Sequence, residues 1–342
     1  MKQGILNLSE KDLEIFFIQE GIPKFRASQV YSWLYRFGKT SFFDMTNIDK
    51  SLQKKLDDIF YIYHPNIERI QKSNDGTIKF LLELNDSDTV ETVYIPSSKK
   101  RNTLCISSQV GCSVGCKFCN TGYNGFIRNL SAEEVIVQYL VVNKYLQNSH
   151  EKISNIVFMG MGEPLYNAKN VLFAIDIFSK LISRRKITLS TSGISVVLKE
   201  IATDLKCKLA ISLHAPNDEI RSRIMPINNI YNIKSIMNAC EIYHKNHEFL
   251  KITFEYLLLK GINDSKECAY ELVDLIKNTN SRVNILMFNE WDGCVFKPSS
   301  SSALKNFVSI LEKNGIEAPI RDRRGLDILA ACGQLSRANS ST

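Results

Sequence analysis

The chain of 342 residues is 44% hydrophobic and 23% charged, the composition of an ordinary globular protein that can bury a large core. Its formal net charge of +7 favours an acidic partner such as RNA. Nine cysteines, an odd number, exclude a complete set of internal disulfides, and no secretory signal is recognised at the N-terminus. We therefore expect a reducing, cytoplasmic location, and the apolar run 135–142 is too short to predict a membrane span.

Two small units are predicted before the main domain. Residues 1–65 are expected to form a helical accessory domain that binds RNA, and Leu13, Phe16 and Phe17 are spaced for one face of a helix. Residues 66–97 are expected to form a short β unit. Its two predicted strands are 78–84 and 89–95.

In residues 98–342, strand-like and helix-like segments alternate, which predicts a parallel sheet. The predicted strands are 103–107, 153–159, 187–191, 209–213, 252–258 and 283–288. The predicted helices are 132–146, 168–181, 233–245, 266–278 and 303–313, the first opened by a capping box of Ser131 and Glu134. Six such units fit a partial (β/α)6 barrel of the TIM type better than a closed barrel of eight. The predicted fold class is therefore α/β, with a C-terminal tail after the last helix.

Three cysteines with the spacing C-x-x-x-C-x-x-C follow the first of these strands. Cys112, Cys116 and Cys119 can hold three irons of a [4Fe–4S] cube, which leaves the fourth iron without a protein ligand. A structural zinc site closes with four ligands, and no fourth cysteine or histidine follows at short spacing. The amino and carboxylate groups of S-adenosylmethionine can chelate an open iron. We therefore predict a [4Fe–4S] cluster that cleaves S-adenosylmethionine reductively.

The ends of the next three predicted strands carry groups that suit the same cofactor. In the Gly-Met-Gly-Glu-Pro motif at 160–164, the glycines let the backbone approach a ligand, and Glu163 can receive an ammonium group. The polar residues that end the third and fourth strands point to the same edge of the sheet. The cofactor-binding candidates at this edge are Gly162, Glu163, Ser190, Ser212, Leu213 and His214.

Two further cysteines lie outside the cluster loop, Cys105 in the first strand and Cys332 near the C-terminus. Together with these cysteines, a series of motifs resembles the RlmN/Cfr family of radical S-adenosylmethionine RNA adenine methyltransferases. The likeness runs in family order across nearly the whole chain. It is carried by segments 25–29, 90–96, 105–112, 125–130, 160–164, 189–193, 211–219 and 327–335.

The resemblance implies a mechanism that uses two molecules of S-adenosylmethionine. One would methylate the Cys332 thiolate, and the other would be cleaved to a 5′-deoxyadenosyl radical that takes a hydrogen from the S-methyl group. The methylene radical would add to the adenine ring and join protein to RNA. Glu91 matches the family's proposed proton acceptor. Cys105 would then attack Cys332, which forms a disulfide and releases the methylated RNA.

Two further positions are interpreted through the family pattern. Phe118 precedes the third cysteine, where an aromatic side chain packs on the adenine of the cofactor. Asn289 matches an asparagine that contacts the cofactor, but Glu290 and Trp291 follow where a proline is usual. Leu326 and Leu329 replace polar residues around the final cysteine, which should change only the packing of the tail.

The leading functional hypothesis is methylation of adenine C2 in the peptidyl-transferase centre of 23S rRNA and beside the anticodon of tRNA. The expected partners are both RNAs and an electron donor, and the expected oligomeric state is a monomer. Basic clusters at 99–101, 184–186 and 321–324 would supply phosphate contacts. The alternatives are C8 methylation of the same rRNA adenine, an iron–sulfur electron carrier, and an RNA-binding module without catalysis.

Overall fold

A computed structural model describes residues 2–98, 101–149, 151–205 and 207–336, so Lys99 and Lys100 of one predicted basic cluster lie outside the described residues. The strands are β1 (Gln3–Gly4), β2 (Phe60–Tyr61), β3 (Asn66–Lys72), β4 (Ile78–Glu83), β5 (Thr89–Ile95), β6 (Thr103–Cys105), β7 (Gln109–Gly111), β8 (Phe126–Asn129), β9 (Asn155–Phe158), β10 (Ile187–Thr191), β11 (Lys208–Ser212), β12 (Ile252–Leu258) and β13 (Ser281–Met287). The helices are α1 (Glu10–Gln19), α2 (Phe25–Tyr35), α3 (Lys50–Ile59), α4 (Asn120–Tyr123), α5 (Ala132–Leu146), α6 (Ala168–Ser179), α7 (Ser195–Ile201), α8 (Asp218–Ile224), α9 (Ile233–Asn246), α10 (Lys266–Ile276) and α11 (Ser301–Lys313), with short 3-10 turns between some of them.

A nine-stranded mixed sheet forms the centre of the molecule, in the order β13-β12-β11-β10-β9-β6-β5-β4-β3. The six strands from β13 to β6 are parallel, as the alternating pattern predicted, because each is followed by a connection that returns over the sheet. The predicted α/β fold with a partial six-stranded barrel is confirmed. The short β unit is continuous with this sheet, since β5 pairs antiparallel with β6 and leads on to β4 and β3.

Local sequence signals explain where the larger helices begin. Helix α5 starts with the predicted capping box, in which the Ser131 side chain accepts the Glu134 N–H and the Glu134 carboxylate accepts the Ser131 N–H. The five predicted helices are present, with ends that differ by at most a few residues. The short helices α4, α7 and α8 were not predicted, because they have only four to seven residues and show little periodicity.

The N-terminal helices α1, α2 and α3 pack against the barrel rather than standing apart from it. Their buried side chains belong to the same hydrophobic core as those of the sheet. Polar contacts join the two parts as well: the Glu133 N–H at the start of α5 donates to Asn7 at 3.1 Å, and the Glu133 carboxylate accepts the Tyr61 hydroxyl at 2.9 Å. Among the described residues, no helix is both long enough and apolar enough to cross a membrane.

Candidate active site

The three cysteines of the predicted cluster lie on the loop between β7 and α4. Gly111 opens this loop with a φ of +75°, and a Cβ at that position would collide with the carbonyl of Gly125. The Cys112 N–H donates to Gly125 O at 2.9 Å, and the Cys119 N–H donates to Cys116 O at 3.1 Å. The tight hairpin and this inner turn bring all three cysteines to the wall of one cavity.

The chemistry of these donors fits an iron–sulfur cube. Burial raises the pKa of Cys112 to about 12 and also raises those of Cys116 and Cys119, and repulsion between neighbouring thiolates adds to the effect. Such thiols need a cationic centre to be held as thiolates. Within the described part of the chain, no group of three or more His, Cys, Asp or Glu is close enough to hold a single ion. A cube instead takes one thiolate on each of three irons.

The cavity beside the cysteines encloses about 1010 Å³ when the open solvent at its mouth is included. It lies at the carboxyl ends of the parallel strands. The predicted site residues that line it are Cys112, Cys116, Cys119, Gly162, Glu163, Ser190, Ser212, His214 and Cys332. The Leu213 side chain is fully buried in the hydrophobic core instead, so this residue could reach a ligand only through its backbone.

Glu163 is a buried carboxyl group that four hydrogen bonds hold in one orientation on this wall. One carboxylate oxygen accepts the Thr191 hydroxyl at 2.6 Å and the Leu165 N–H at 3.0 Å, and the other accepts the Ser192 N–H at 2.7 Å and hydroxyl at 2.8 Å. Burial raises the pKa of Glu163, whereas these four donors lower it. Gly162 has a φ of +99°, and a Cβ there would collide with Gln109, so close packing is one reason for the glycine.

His214 is a neutral, oriented side chain that also lines this cavity. Its Nδ1 accepts the Leu257 N–H at 3.0 Å, which leaves the ring proton of the neutral form on Nε2. Burial, together with repulsion from Arg221, lowers the pKa of His214 to about 3. Its ring meets Phe118 edge to face, with 5.0 Å between the ring centroids. The two rings form part of the cavity wall beside the cluster loop.

The C-terminal tail brings Cys332 to the mouth of the same cavity. Gly333 O accepts the Asn120 N–H at 2.8 Å, and Leu335 O accepts the Thr121 hydroxyl at 2.6 Å, so the tail is fastened directly to the segment after Cys119. Cys332 is an exposed residue, yet desolvation of its thiol by the surrounding atoms raises the thiol pKa, and Arg321 offsets part of this rise. An accessible thiol beside the cluster loop suits a methyl acceptor.

Cys105 faces the tail from the end of strand β6. Cys105 and Cys332 line a second cavity beneath the tail, of about 700 Å³ with open solvent included, and Cys332 borders the first cavity as well. Both cysteines are free thiols, and the pKa of Cys105 is raised by burial and further by the proximity of Cys332. The structure therefore brings together the two cysteines that are 227 positions apart in the chain.

Glu91, in strand β5, lies on the sheet beneath the same tail. One carboxylate oxygen pairs with Lys79 Nζ at 2.8 Å, and the other accepts the Ser336 N–H at 2.9 Å. Burial raises the pKa of Glu91, and the lysine and the tail amide lower it. The carboxylate is thus tied to both the sheet and the segment that carries Cys332.

Comparison with known proteins agrees with this arrangement. Residues 3–62 match the model of the ribosomal RNA large subunit methyltransferase N-terminal domain, and residues 106–275 match the radical SAM superfamily. A dual-specificity RNA methyltransferase RlmN from Wigglesworthia glossinidia brevipalpis is 46% identical, with 98% of this chain and 90% of the relative covered. The corresponding protein of Buchnera aphidicola is 45% identical, covering 98% of this chain and 94% of the relative. The chain belongs to the RlmN family.

A solved structure of a radical SAM methyltransferase from Sphaerobacter thermophilus shows the same fold as this RlmN family member. Its TM-score is 0.92 at 36% identity, over 97% of this chain and 99% of that one. The predicted enzyme class, a radical S-adenosylmethionine RNA methyltransferase, is confirmed, and so is the pair of cofactors. These are a [4Fe–4S] cluster and S-adenosylmethionine, which the large cavity beside the three cysteines would accommodate.

The departures from the RlmN pattern after Asn289 have a visible structural role. Trp291 Nε1 donates to Phe118 O at 3.0 Å, and Glu290 O accepts the Gln334 side-chain amide at 2.9 Å. Both contacts fasten this loop to its neighbours at the active site, the cluster loop and the tail. Asn289 itself borders the second cavity, where its Nδ2 donates to Cys332 O at 3.3 Å and its buried Oδ1 has no partner in the structure. That orphaned oxygen is available to a ligand.

Arg221 is a residue of the site that sequence reasoning missed. It is fully buried, and its guanidinium donates to Ser192 O at 2.6 Å, to Ser212 O at 3.1 Å and to Leu213 O at 3.1 Å. It also donates to Asn228 at 2.9 Å. Burial lowers its pKa to about 10. Nothing in the sequence indicates that this arginine is buried. Its position two residues after the 211–219 motif was the only available clue.

Proposed function

We propose that this enzyme methylates C2 of an adenine in 23S rRNA, in the peptidyl-transferase centre, and of an adenine beside the anticodon of tRNA. The observation that carries the proposal is the seating of Cys332 between the cluster loop and Cys105, with Glu91 under the same tail. The names of the relatives, dual-specificity RNA methyltransferases, support the choice of substrates. The proposal includes an electron donor, a monomeric state and a cytoplasmic location.

Cys332 is the proposed methyl acceptor. Its thiolate would attack the methyl carbon of S-adenosylmethionine, so that a carbon–sulfur bond forms on Cys332 as the methyl–sulfonium bond breaks and S-adenosylhomocysteine leaves with the electron pair. Desolvation raises the pKa of Cys332, and the Arg321 guanidinium opposes this rise and so favours the thiolate. Cys112, Cys116 and Cys119 would hold the cluster. When bound, cluster and cofactor supply the radical that takes a hydrogen atom from the S-methyl group and accept one electron back from the adduct.

Glu91 and Cys105 would complete the reaction. After the S-methylene carbon has joined C2, Glu91 takes the C2 proton, and the electron pair of the broken bond stays in the ring. Cys105 Sγ then attacks Cys332 Sγ, and the bond between Cys332 and the carbon breaks with its electron pair on the carbon. That carbon takes up a proton and becomes the methyl group. The resulting disulfide needs two electrons from cellular thiols before the next turnover.

Nucleoside analysis tests the proposed product directly. The anaerobically reconstituted enzyme would be incubated with an rRNA fragment or tRNA, and the RNA digested and separated by chromatography with mass detection. We expect about four irons per chain and 2-methyladenosine in both RNAs. If 8-methyladenosine is the main product, the enzyme belongs to the C8 branch and the proposal is wrong.

A further inference from the structure

Lys79 forms a buried ion pair with Glu91 beneath the C-terminal tail, and this lysine has no role in the reaction steps above. Lys79 Nζ lies 2.8 Å from Glu91 Oε1, and each side chain exposes only 8% of its surface. Burying two charges is costly unless further hydrogen bonds complete the pair. Here the additional partners both belong to the tail: Lys79 Nζ donates to Leu329 O at 3.3 Å, and Glu91 Oε2 accepts the Ser336 N–H at 2.9 Å.

The register of the sheet places this pair on the same face as Cys105. Lys79 is opposite Val93 in the β4–β5 pair, and Val93 is opposite Cys105 in the β5–β6 pair. Glu91 is two residues from Val93 in the same strand, so its side chain projects to the same side. Lys79, Glu91 and Cys105 therefore lie on one face of three adjacent strands, and the tail covers that face.

The tail residue that Lys79 contacts has an unusual backbone conformation. Leu329 has a φ of 51° and a ψ of 44°, a left-handed conformation that is unfavourable for a side chain with a Cβ. Such a conformation persists where the surrounding contacts hold it. The Leu329 side chain is 52% exposed, so packing contributes little, and its carbonyl is the group that receives the ammonium of Lys79.

From these contacts we propose that Lys79 is a positioning residue, which links the seating of the Cys332 tail to the ionised form of Glu91. The inference rests on the proposed role of Glu91 as proton acceptor. When the tail is seated, one ammonium group holds both the Leu329 carbonyl above Glu91 and the carboxylate itself. The proton acceptor is then charged, oriented and covered at the stage when an adduct on Cys332 needs it.

The charges around Glu91 give the proposal a measurable consequence. Lys79 from β4, Arg69 from β3 and the Ser336 N–H from the tail all favour the carboxylate, against the effect of burial. If Lys79 is removed, the pKa of Glu91 should rise. Methylation that depends on ionised Glu91 should then begin at higher pH. A structural role alone would lower the activity by the same factor at every pH.

The experiment compares the pH dependence of RNA methylation for four reconstituted enzymes: wild type, Lys79→Met, Lys79→Arg and Lys72→Met. Lys72 is an exposed lysine on the neighbouring strand β3 and serves as the matched control. For Lys79→Met we expect at least a tenfold loss of methylation near neutral pH, recovered in part at higher pH, with normal iron content and normal S-methylation of Cys332. Lys79→Arg keeps the charge and should keep the wild-type pH dependence. An equal loss for Lys79→Met at all pH values, or no loss, overturns the proposal.

Two further measurements keep the test decisive. Glu91→Gln distinguishes failure of the proton-acceptor role from failure of the Lys79 role. If Glu91→Gln retains activity, Glu91 is not the proton acceptor. If Glu91→Gln is inactive but Lys79→Met is normal, only the proposed role of Lys79 is wrong. Should Lys79→Met not fold, the wild type itself can be followed by amide exchange of residues 325–336, corrected for intrinsic rates. Exchange of the tail should accelerate as the pH falls through the acidic limb of activity. If the amide protection of residues 325–336 does not change over the pH range in which activity falls, the proposal is contradicted.

Discussion

Two walls of the active site are held in different ways. The cofactor wall, which includes Glu163 and Arg221, is built into the hydrophobic core, and its polar groups are satisfied by many short hydrogen bonds from the chain itself. The tail that carries Cys332 lies across the sheet and is fastened by hydrogen bonds to several separate segments of the chain, including the turn before β4, strands β4 and β5, and helix α4. We therefore expect the cofactor site to open only with the barrel, and the methyl-carrying segment to detach without unfolding the barrel.

The strongest test of this contrast uses the two cysteines of the tail site. Cys332→Ala should abolish methyl transfer to protein and RNA, because the acceptor is gone, while iron binding stays intact. Cys105→Ala should instead trap the enzyme on its RNA, since nothing can break the thioether. Denaturing electrophoresis would show the covalent complex, and ribonuclease would remove it.

The other cysteines supply the control for this pair. Alanine variants of those outside both sites should stay active, namely Cys207, Cys240, Cys268 and Cys294. Normal turnover by either Cys332→Ala or Cys105→Ala would disprove the two-thiol mechanism in this enzyme. Because Cys332 is exposed, its replacement should change the free energy of unfolding by no more than about 0.5 kcal/mol.

Arg221 tests the cofactor wall. Arg221→Leu removes the donor from four carbonyl oxygens and one side-chain amide oxygen, which belong to Ser192, Ser212, Leu213, Tyr231 and Asn228. Leaving such buried groups unpaired should cost about 3–5 kcal/mol of unfolding free energy. Arg223→Leu, exposed on the same helix α8, should cost about 0.5 kcal/mol or less. Chemical denaturation measures both, and equal effects would show that burial of Arg221 does not stabilise this wall.

The sequence predicted the residues that would bind the cofactors better than the residues that hold the site in place. The spacing of Cys112, Cys116 and Cys119 and the alternation of strands and helices were sufficient for the cluster loop and the parallel sheet, because both are local patterns. Arg221 and Lys79 were not predicted. Their roles depend on burial and on contacts to segments far away in the chain, such as Leu329 for Lys79, and one sequence carries no local signal for either.

Asp327 tests the attachment of the tail. Its carboxylate accepts the Ser73 hydroxyl at 2.5 Å and the Asn74 N–H at 3.1 Å, which fastens the tail to the turn between β3 and β4. Asp327→Ala should accelerate amide exchange of residues 325–336 several-fold, with little change in the melting temperature of the barrel. Glu312→Ala, exposed on α11, is the control and should change neither.

The pH dependence of this contact follows from the same hydrogen bonds. The Ser73 hydroxyl and the Asn74 N–H hold the pKa of Asp327 below its ordinary value. The contact should therefore be complete above the ordinary carboxyl range and be lost only as the pH falls through the lowered pKa. A tail that exchanges equally fast in wild type and Asp327→Ala at neutral pH would show that other contacts hold it.

The smallest expected effect concerns Leu329 and decides whether the tail opens as a separate unit. Leu329→Asn should relieve part of the left-handed strain, because asparagine tolerates this conformation, and should stabilise the seated tail by about 0.5–1 kcal/mol. The Lys79 contact should remain, since it is made to the backbone carbonyl. If the tail opens separately, its amide exchange slows by about two- to fivefold while barrel unfolding is unchanged. If barrel unfolding shifts by the full amount instead, tail and barrel are one cooperative unit, and the contrast between the two walls is wrong.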